Sequence, residues 1–166
     1  MKIVGFSQID ADNKMVLKGD SSLLVNRKPF FVPDWSNDVR MTPCVVLRVN
    51  RMGKNIASRF ASRYYDAAAP GLNMQAADLL AQGDWTLGWA FDYSLVVGSF
   101  VSPELLNDYT TIISAEEAIE RVSRVMTIRQ GDMIYIDCKA DARNLVREEV
   151  ICVQKDNNEL LYCKIK

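Results

Sequence analysis

Histidine is absent from the whole sequence, and this absence excludes more chemistry than any other feature of the composition. Histidine is the commonest general base near neutral pH and the commonest protein ligand of transition metals. A Ser-His-Asp triad and a typical catalytic zinc site are therefore excluded. Any general base has to be a carboxylate, a cysteine or a lysine, and any metal has to be held by Asp, Glu or Cys side chains.

The sequence also lacks a long apolar run and any Cys-x-x-Cys spacing. No apolar run approaches the roughly 18 residues of a membrane span, and the opening segment, MKIVGFSQIDADNK, does not resemble a signal peptide. We therefore expect a cytoplasmic protein that does not bind membranes. In a reducing compartment the four cysteines are interpreted as small apolar residues rather than as disulfide partners. They are Cys44, Cys138, Cys152 and Cys163.

An excess of charge of either sign is missing as well. The 20 basic and 21 acidic residues are interspersed, and no basic stripe indicates a nucleic-acid partner. With 49% apolar and 25% charged residues the composition is that of a folded protein. We expect residues 1–166 to form a single domain, which is long enough to bury a core.

Short runs of β-forming residues dominate the chain, and several of them alternate apolar with polar side chains. In one of these runs, Val45, Leu47 and Val49 fall on one side of the predicted strand, while Cys44 and Val46 fall on the other. The predicted strands are residues 2–6, 29–32, 44–50, 95–101, 133–137, 150–154 and 160–165. The last two are expected to form a hairpin, because the Asn pair at 157–158 tolerates a positive φ.

Two helices are predicted. One covers residues 57–66, where apolar side chains recur at helical spacing after a Gly-Lys-Asn turn. The other begins after Ser114, which forms a capping box with Glu117 ahead of a helical apolar pattern. These elements predict a β-rich, mixed α+β fold with few, short helices.

Four phrases, taken in order, resemble the small, single-domain form of the fumarylacetoacetate hydrolase family. They lie at residues 18–39 (beginning KGDSSLL), 48–67 (RVNRMGKNI, then ASRYYDA), 84–102 (DWTLGWAFDYS and the Gly-rich run after it) and 113–136 (ISAEEAIERV to GDMIYI). The resemblance implies a twisted β-roll with short peripheral helices, usually assembled as a homodimer. It also implies cleavage, decarboxylation or hydration of acylpyruvates or related oxo acids, with Mg²⁺ or Mn²⁺ held by three carboxylates.

The positions that the resemblance assigns to the metal carry other residues here. Thr42 and Cys44 stand where the family has a Glu-x-Glu pair, and Asn73 stands where it has the third carboxylate, an Asp. Ala77 replaces the Arg of an Arg-Asp pair whose Asp survives as Asp78. These replacements predict a site that has lost its metal.

Other parts of the implied active site have also changed. Trp89 replaces a lysine expected to contact metal-bound groups, and the Thr-Gly-Thr-Pro substrate loop expected after Ile134 reads Tyr-Ile-Asp-Cys-Lys. The loop between Phe6 and Lys18 is too short for the family's proton-transfer residues, and a hairpin near 107–113 is interpreted as deleted. We therefore regard seven positions as vestigial and expect none to be catalytic: Lys18, Thr42, Cys44, Asn73, Ala77, Asp78 and Trp89.

Most of these residues have a structural interpretation. Cys44 lacks a His partner and is predicted to be buried, which disfavours a nucleophilic role. Trp89 is expected to fill the cavity that the lost active-site groups would leave. Alternatively, the rings of Trp85 and Trp89 could together line a ligand pocket. Asp78 is expected to bind backbone or nearby cations, and Lys18 to be a solvated residue after a turn.

Three functions stay open on the sequence alone. The first is a non-catalytic homologue, a homodimeric scaffold or partner-binding protein without a cofactor. The second is a metal-dependent hydrolase, decarboxylase or hydratase that acts on an oxo acid through a rearranged site with Mg²⁺ or Mn²⁺. The third is a small-molecule binding module that uses the region of Trp85 and Trp89.

Overall fold

The computed structural model describes residues 1–9 and 12–166, and strands predominate in it. The strands are β1 (Ile3–Ile9), β2 (Asp12–Lys18), β3 (Leu23–Val25), β4 (Val39–Val49), β5 (Tyr65–Ala76), β6 (Leu95–Val97), β7 (Met133–Asp137), β8 (Arg143–Asn144), β9 (Val150–Lys155) and β10 (Asn158–Lys164). The α-helices are α1 (Ala77–Ala81), α2 (Trp85–Ala90) and α3 (Ala115–Val125). Short 3-10 helices cover Asp20–Ser22, Ser58–Arg63 and Pro103–Leu106.

One curled sheet organises the chain. Its strand order is β2-β1-β7-β4-β5-β6-β3, with β8 added to β4, while β9 and β10 pair separately as a hairpin. Strand β1 runs parallel to β7 and β3 runs parallel to β6, and the other pairs are antiparallel. The predicted fold class, a strand-rich α+β fold on a twisted β-roll with few short helices, is confirmed.

The predicted strand at 44–50 is confirmed as part of β4, and β4 is buried on both faces. Val45, Leu47 and Val49 belong to a core cluster that α3 covers, whereas Cys44 and Val46 pack with Tyr135 of β7 on the opposite face. Full burial of one such aliphatic side chain stabilises the fold by about 1.5–3 kcal/mol. The second face is the one that carries the candidate site.

Helix α3 begins where the capping box predicted. The Ser114 side chain accepts a hydrogen bond from the Glu117 backbone N–H, which satisfies one free donor of the first turn. Ile119 and Val122 are fully buried against the first core cluster. The helix therefore closes one side of the sheet.

The predicted helix at 57–66 is wrong. That segment contains only a 3-10 turn, Ser58–Arg63, and the chain then enters β5, which sequence patterns did not reveal. In the middle of β5, Gly71 lies between Cys44 of β4 and Val97 of β6. A Cβ at Gly71 would approach Cys44 Sγ and a Val46 methyl to 2.8 Å each. Close packing therefore selects small residues whose intrinsic strand propensity is low.

The C-terminal hairpin is confirmed, since β9 pairs with β10 and the two residues between them, Asp156 and Asn157, have positive φ. The predicted strand at 29–32 is wrong, because that segment touches β-structure through a single bridge between Phe30 and Ile165. The predicted strand at 95–101 ends at Val97, where β6 stops.

The N-terminal segment forms the hairpin of β1 and β2. Residues 10 and 11 lie outside the described residues, so the prediction of a short loop between Phe6 and Lys18 falls partly outside them. Residues 107–113, where a deleted hairpin was predicted, form a connection that is bridged to Cys138 at Thr111. No helix within residues 1–9 and 12–166 has the length and apolar character needed to cross a membrane.

Candidate functional site

The strand register brings the three predicted metal positions together. Thr42 of β4 lies opposite Asn73 of β5, and Cys44 lies opposite Asp137 of β7 on the other side of the same strand. Residues 42 and 44 point to one face of the sheet because side chains alternate along a strand. All four residues are buried. The implied metal positions therefore form one polar cluster inside the roll.

Asn73 fills the centre of this cluster with hydrogen-bond donors. Its Nδ2 lies 3.0 Å from Asp137 Oδ1, 3.1 Å from Asp137 Oδ2 and 3.0 Å from Ser7 Oγ. An amide N–H can only donate, so both Asp137 oxygens accept from Asn73 in this arrangement. Asn73 Oδ1 is buried and has no hydrogen-bond partner among the described residues.

Lys18 is buried at the end of β2, with 1% of its surface exposed. The prediction of a solvated lysine is wrong. Its Nζ donates to the carbonyl of Trp89 at 2.6 Å, to the carbonyl of Ser94 at 3.1 Å and to Ser94 Oγ at 2.9 Å. These bonds use all three N–H donors of the ammonium group on neutral acceptors. The ammonium also lies 5.5 Å from the centre of the Tyr135 ring.

The two buried charges shift one another's titration. Burial lowers the pKa of Lys18 to about 7, although the negative charges of Asp137 and Cys44 oppose that shift. Burial raises the pKa of Asp137 to about 7, against hydrogen bonds from Ser7 and Asn73 and the positive charge of Lys18. Desolvation of a charge is the dominant cause for both groups.

The cysteines near the cluster are protonated thiols. Burial raises the pKa of Cys44 well above its usual value, and the carboxylate of Asp137 adds to this. The pKa of Cys138, the residue after Asp137, is raised to about 11 by the same two causes. A thiol is a weak nucleophile until it ionises, so neither residue is activated for covalent chemistry.

The two tryptophans of α2 occupy different environments. Trp89 is buried, and its backbone carbonyl, rather than its ring, is what reaches Lys18. Trp85 is 43% exposed, and Lys14 Nζ lies 5.2 Å from the centre of its ring. The Trp89 indole Nε1 is buried without a hydrogen-bond partner among the described residues.

The last two predicted positions, Ala77 and Asp78, begin helix α1. Asp78 accepts hydrogen bonds from Ser36 Oγ at 2.6 Å, from the Asn37 backbone N–H at 2.9 Å and from the Leu79 backbone N–H at 3.0 Å. These bonds lower the pKa of the carboxyl group. The expected structural role of Asp78 as a partner of backbone donors is confirmed, and it makes no hydrogen bond to the buried cluster among those that the structure describes.

A small cavity reaches the cluster from the surface. It has a volume of about 140 Å³, and both Thr42 and Asp137 line it, together with Gln8, Gln75, Cys138, Ala140, Asp141 and Ala142. Thr42 and Asp137 are therefore members of the cluster that small molecules could reach.

Comparison with known proteins rests on structure. The sequence matches no protein-family model and no curated protein. Three solved structures illustrate the likeness, each aligned over 99% of this chain. A Yersinia pestis CO92 protein, provisionally described as a fumarylacetoacetate hydrolase family protein, has a TM-score of 0.84 at 15% identity, with 92% of its length covered. A Pseudomonas aeruginosa fumarylpyruvate hydrolase, in complex with Mn²⁺ and pyruvate, has a TM-score of 0.80 at 16% identity, with 88% of its length covered. A Mycobacterium smegmatis 5-carboxymethyl-2-hydroxymuconate delta-isomerase has a TM-score of 0.83 at 14% identity, with 78% of its length covered.

This chain has the fumarylacetoacetate hydrolase fold. The family resemblance drawn from the four phrases is thereby confirmed at the level of the fold. A fold supports many activities, so function has to be argued from the cluster itself.

The divalent cation that the fumarylacetoacetate hydrolase resemblance implies does not fit these residues. Mg²⁺ and Mn²⁺ prefer several hard oxygen ligands, carboxylates above all. The cluster offers one carboxylate, Asp137, whose two oxygens already accept from Asn73. Within the described parts of the chain, no three Cys, Asp or Glu side chains are grouped closely enough to hold a metal ion.

Sequence reasoning missed four members of the cluster: Ser7, Ser94, Tyr135 and Asp137. The signal for Asp137 was present, because an acidic residue ends the otherwise apolar strand β7 in the segment where the fumarylacetoacetate hydrolase resemblance places a substrate loop. Tyr135 lies two residues earlier on the same face of that strand, and both are buried. Ser7 and Ser94 carry no comparable signal, since serine is common at turns and strand ends.

Proposed function

We propose that this protein has lost the metal-dependent catalysis of the fumarylacetoacetate hydrolase fold and acts as a scaffold or partner-binding protein. The observation that carries the proposal is the contact between Asn73 and Asp137. Where the family resemblance implies a carboxylate that holds a cation, an amide group presents its N–H donors to a carboxylate.

Electrostatics support the same proposal. Three implied carboxylates are replaced by Thr42, Cys44 and Asn73, which removes about three negative charges from a divalent-cation site. Lys18 adds a buried positive charge beside the one carboxylate that remains, Asp137. A divalent cation placed there would find one carboxylate, already bonded by Asn73, and otherwise neutral ligands.

An alternative is hydrolase or isomerase activity on an acylpyruvate or a related oxo acid. Two observations favour it: the solved relatives include a fumarylpyruvate hydrolase and an isomerase, and Asp137, with a pKa of about 7, lines a cavity. A carboxyl group poised near neutral pH is suited to general acid–base chemistry. The alternative is weaker because the ammonium of Lys18, whose positive charge acts on Asp137, already donates to Trp89 and Ser94 and is not free to stabilise an oxyanion.

Small-molecule binding between Trp85 and Trp89 has less support. One ring is buried within the fold and the other is exposed beside Lys14, so the two do not form a shared stacking surface.

The proposal is tested by an activity assay. Purified protein is incubated with fumarylpyruvate or acetylpyruvate and Mn²⁺ or Mg²⁺, and loss of the substrate's ultraviolet absorbance is followed. We expect no rate above the metal-only background. Turnover that disappears in Asp137→Asn, a variant checked for folding by circular dichroism, would instead establish the enzymatic alternative.

A further inference from the structure

The cavity above Asp137 has a chemistry that the proposed function leaves unexplained. Asp137 is 3% exposed and Thr42 is 6% exposed, yet both line a space of about 140 Å³ that opens to the surface. A cavity of that size holds about four or five water-sized groups. It is therefore large enough for a small organic molecule.

The lining is acidic. Asp137 and Asp141 both contribute carboxyl groups, and the remaining polar side chains are those of Thr42, Gln8 and Gln75. Among the described residues, no Lys or Arg belongs to this lining. The two carboxyl groups of the lining outnumber the one positive charge, that of Lys18, which acts on Asp137. The local charge therefore favours a monovalent cation over an oxo-acid anion.

Two buried acceptors in the cavity have spare hydrogen-bonding capacity. The Thr42 hydroxyl makes no side-chain hydrogen bond among the described residues. The Asp137 carboxylate has about four acceptor positions. Its partners are Asn73 and Ser7, and the donors of Lys18 are all used by Trp89 and Ser94. Both Thr42 and Asp137 line the cavity and keep acceptor capacity that the described residues do not use.

We propose that this cavity binds a small primary ammonium compound, whose N–H donors bond Asp137 and the Thr42 hydroxyl. The ligand is a compact amine of about four heavy atoms, which follows from the volume of the cavity. The proposal rests on the proposed loss of the metal, because a divalent cation at Asp137 would occupy the same carboxylate. The proposed ligand is an organic cation, whereas the family resemblance implies an oxo-acid anion, so the two ligands have opposite charges.

The test is a titration of isotopically labelled protein, followed by amide chemical shifts, at about pH 8 and constant ionic strength. The probes are ethylammonium chloride, tetramethylammonium chloride and sodium pyruvate. We expect saturable shifts around Thr42 and Cys138 with ethylammonium alone. Tetramethylammonium carries the same charge but no N–H donor. Equal binding of tetramethylammonium, or binding of pyruvate without ethylammonium, would overturn the proposal.

Variants locate the site. Asp137→Asn is expected to weaken ethylammonium binding at least about tenfold, while Asp156→Asn, in the distant β9–β10 turn, leaves it unchanged. If Asp137→Asn does not fold, Thr42→Val serves in its place, because it keeps the side-chain shape and removes one hydrogen bond. Its expected effect is about fivefold. Ala142→Leu should block the cavity and abolish binding. Unchanged affinity in Thr42→Val and Ala142→Leu would place the amine elsewhere and refute the inference, whatever the result of a metal titration.

Discussion

Asn73 and Asp137 contact each other across the central strand of the sheet, with the amide nitrogen 3.0 Å from one carboxylate oxygen and 3.1 Å from the other. Asn73 belongs to β5 and Asp137 to β7, and both strands flank β4. Their side chains therefore meet over Thr42 and Cys44, the positions where the family resemblance implies a pair of metal-binding glutamates. A hydrogen bond internal to the protein lies where the family resemblance implies metal coordination.

The first prediction follows from this contact. Asn73→Asp would place a second carboxylate against Asp137 in a buried site. Either one of the two carboxyl groups then stays protonated, or the two negative charges repel each other. We expect the free energy of unfolding to fall by about 2–4 kcal/mol at neutral pH. Urea denaturation measures it, and Asn107→Asp, at an exposed position, is the matched control. A loss no larger than that of the control would mean that the contact is not formed.

The second prediction concerns pH. The pKa of Asp137 is about 7 in the folded protein against an ordinary value of 3.8, so the folded state binds the proton more tightly. The stability from this group is complete below about pH 4 and is lost as the pH rises through about 7. Asp137→Asn lacks this titration, so its stability relative to wild type should improve with pH by about 1 kcal/mol per unit.

Urea denaturation at about pH 5 and about pH 6.5 tests this. Both values lie below the pKa of about 7 for Lys18 in the folded protein, so the lysine remains largely charged throughout. A stability difference that is the same at both pH values would show that the carboxyl group does not titrate in this range.

The third prediction tests how β1 packs on the site. A Cβ on Gly5 would overlap the buried ring of Tyr135, which also lies under Lys18. We expect Gly5→Ala to lower the free energy of unfolding by about 3 kcal/mol or more, because the ring has no space to move in a close-packed core. Gly19→Ala is the control, since its new methyl would meet only Ser21 Oγ, at an ordinary 3.8 Å. Similar thermal unfolding temperatures for both variants would contradict the packing described.

The fourth prediction concerns assembly, where the family resemblance implies a two-fold homodimer. Several large apolar side chains are exposed on the single chain: Phe31 at 66%, Val146 at 59% and Val150 at 48%. A dimer interface of at least about 800 Å² per partner would cover such a surface. Light scattering should therefore give twice the chain mass of 18.8 kDa. A mass of one chain that persists on concentration would exclude the dimer.

The C-terminal hairpin, residues 150–165, is a candidate contributor to that interface, because apolar residues alternate along it. Most of its apolar side chains, including Leu161 and Ile165, are buried within the chain itself. Val150 therefore supplies most of the exposed apolar surface that the hairpin could bury in a dimer interface. Val150→Lys should weaken a dimer that uses this face.

Much of the fold could be predicted from local patterns, because those patterns arise from local physics. The capping box at Ser114 and Glu117 predicts the start of α3, since the hydrogen bond it forms involves neighbours in sequence. The alternation around Leu47 predicts a strand, whereas the burial of both its faces depends on neighbours distant in sequence. The β5 strand escaped prediction because its small residues, such as Gly71, are selected by contacts with β4 and β6 that are distant in sequence.

The candidate site could be predicted in part for the same reason. The resemblance identified Thr42, Cys44 and Asn73, and the register brings them together. It did not reveal that Asp137 would lie beside Asn73, since that contact joins residues 64 positions apart. The sequence analysis also missed the burial of Lys18. Its ammonium group donates hydrogen bonds to two backbone carbonyls and one serine hydroxyl, and such acceptors leave no pattern in the sequence.

Calorimetric titration with Mn²⁺ tests the central claim most directly. Wild-type protein should give no one-site isotherm at micromolar affinity, because one carboxylate and a donating amide cannot replace three carboxylates. The triple variant Thr42→Glu, Cys44→Glu, Asn73→Asp is the matched comparison, and it should gain metal binding but little turnover. A clear one-site isotherm for the wild type that is lost in Asp137→Asn would contradict the account.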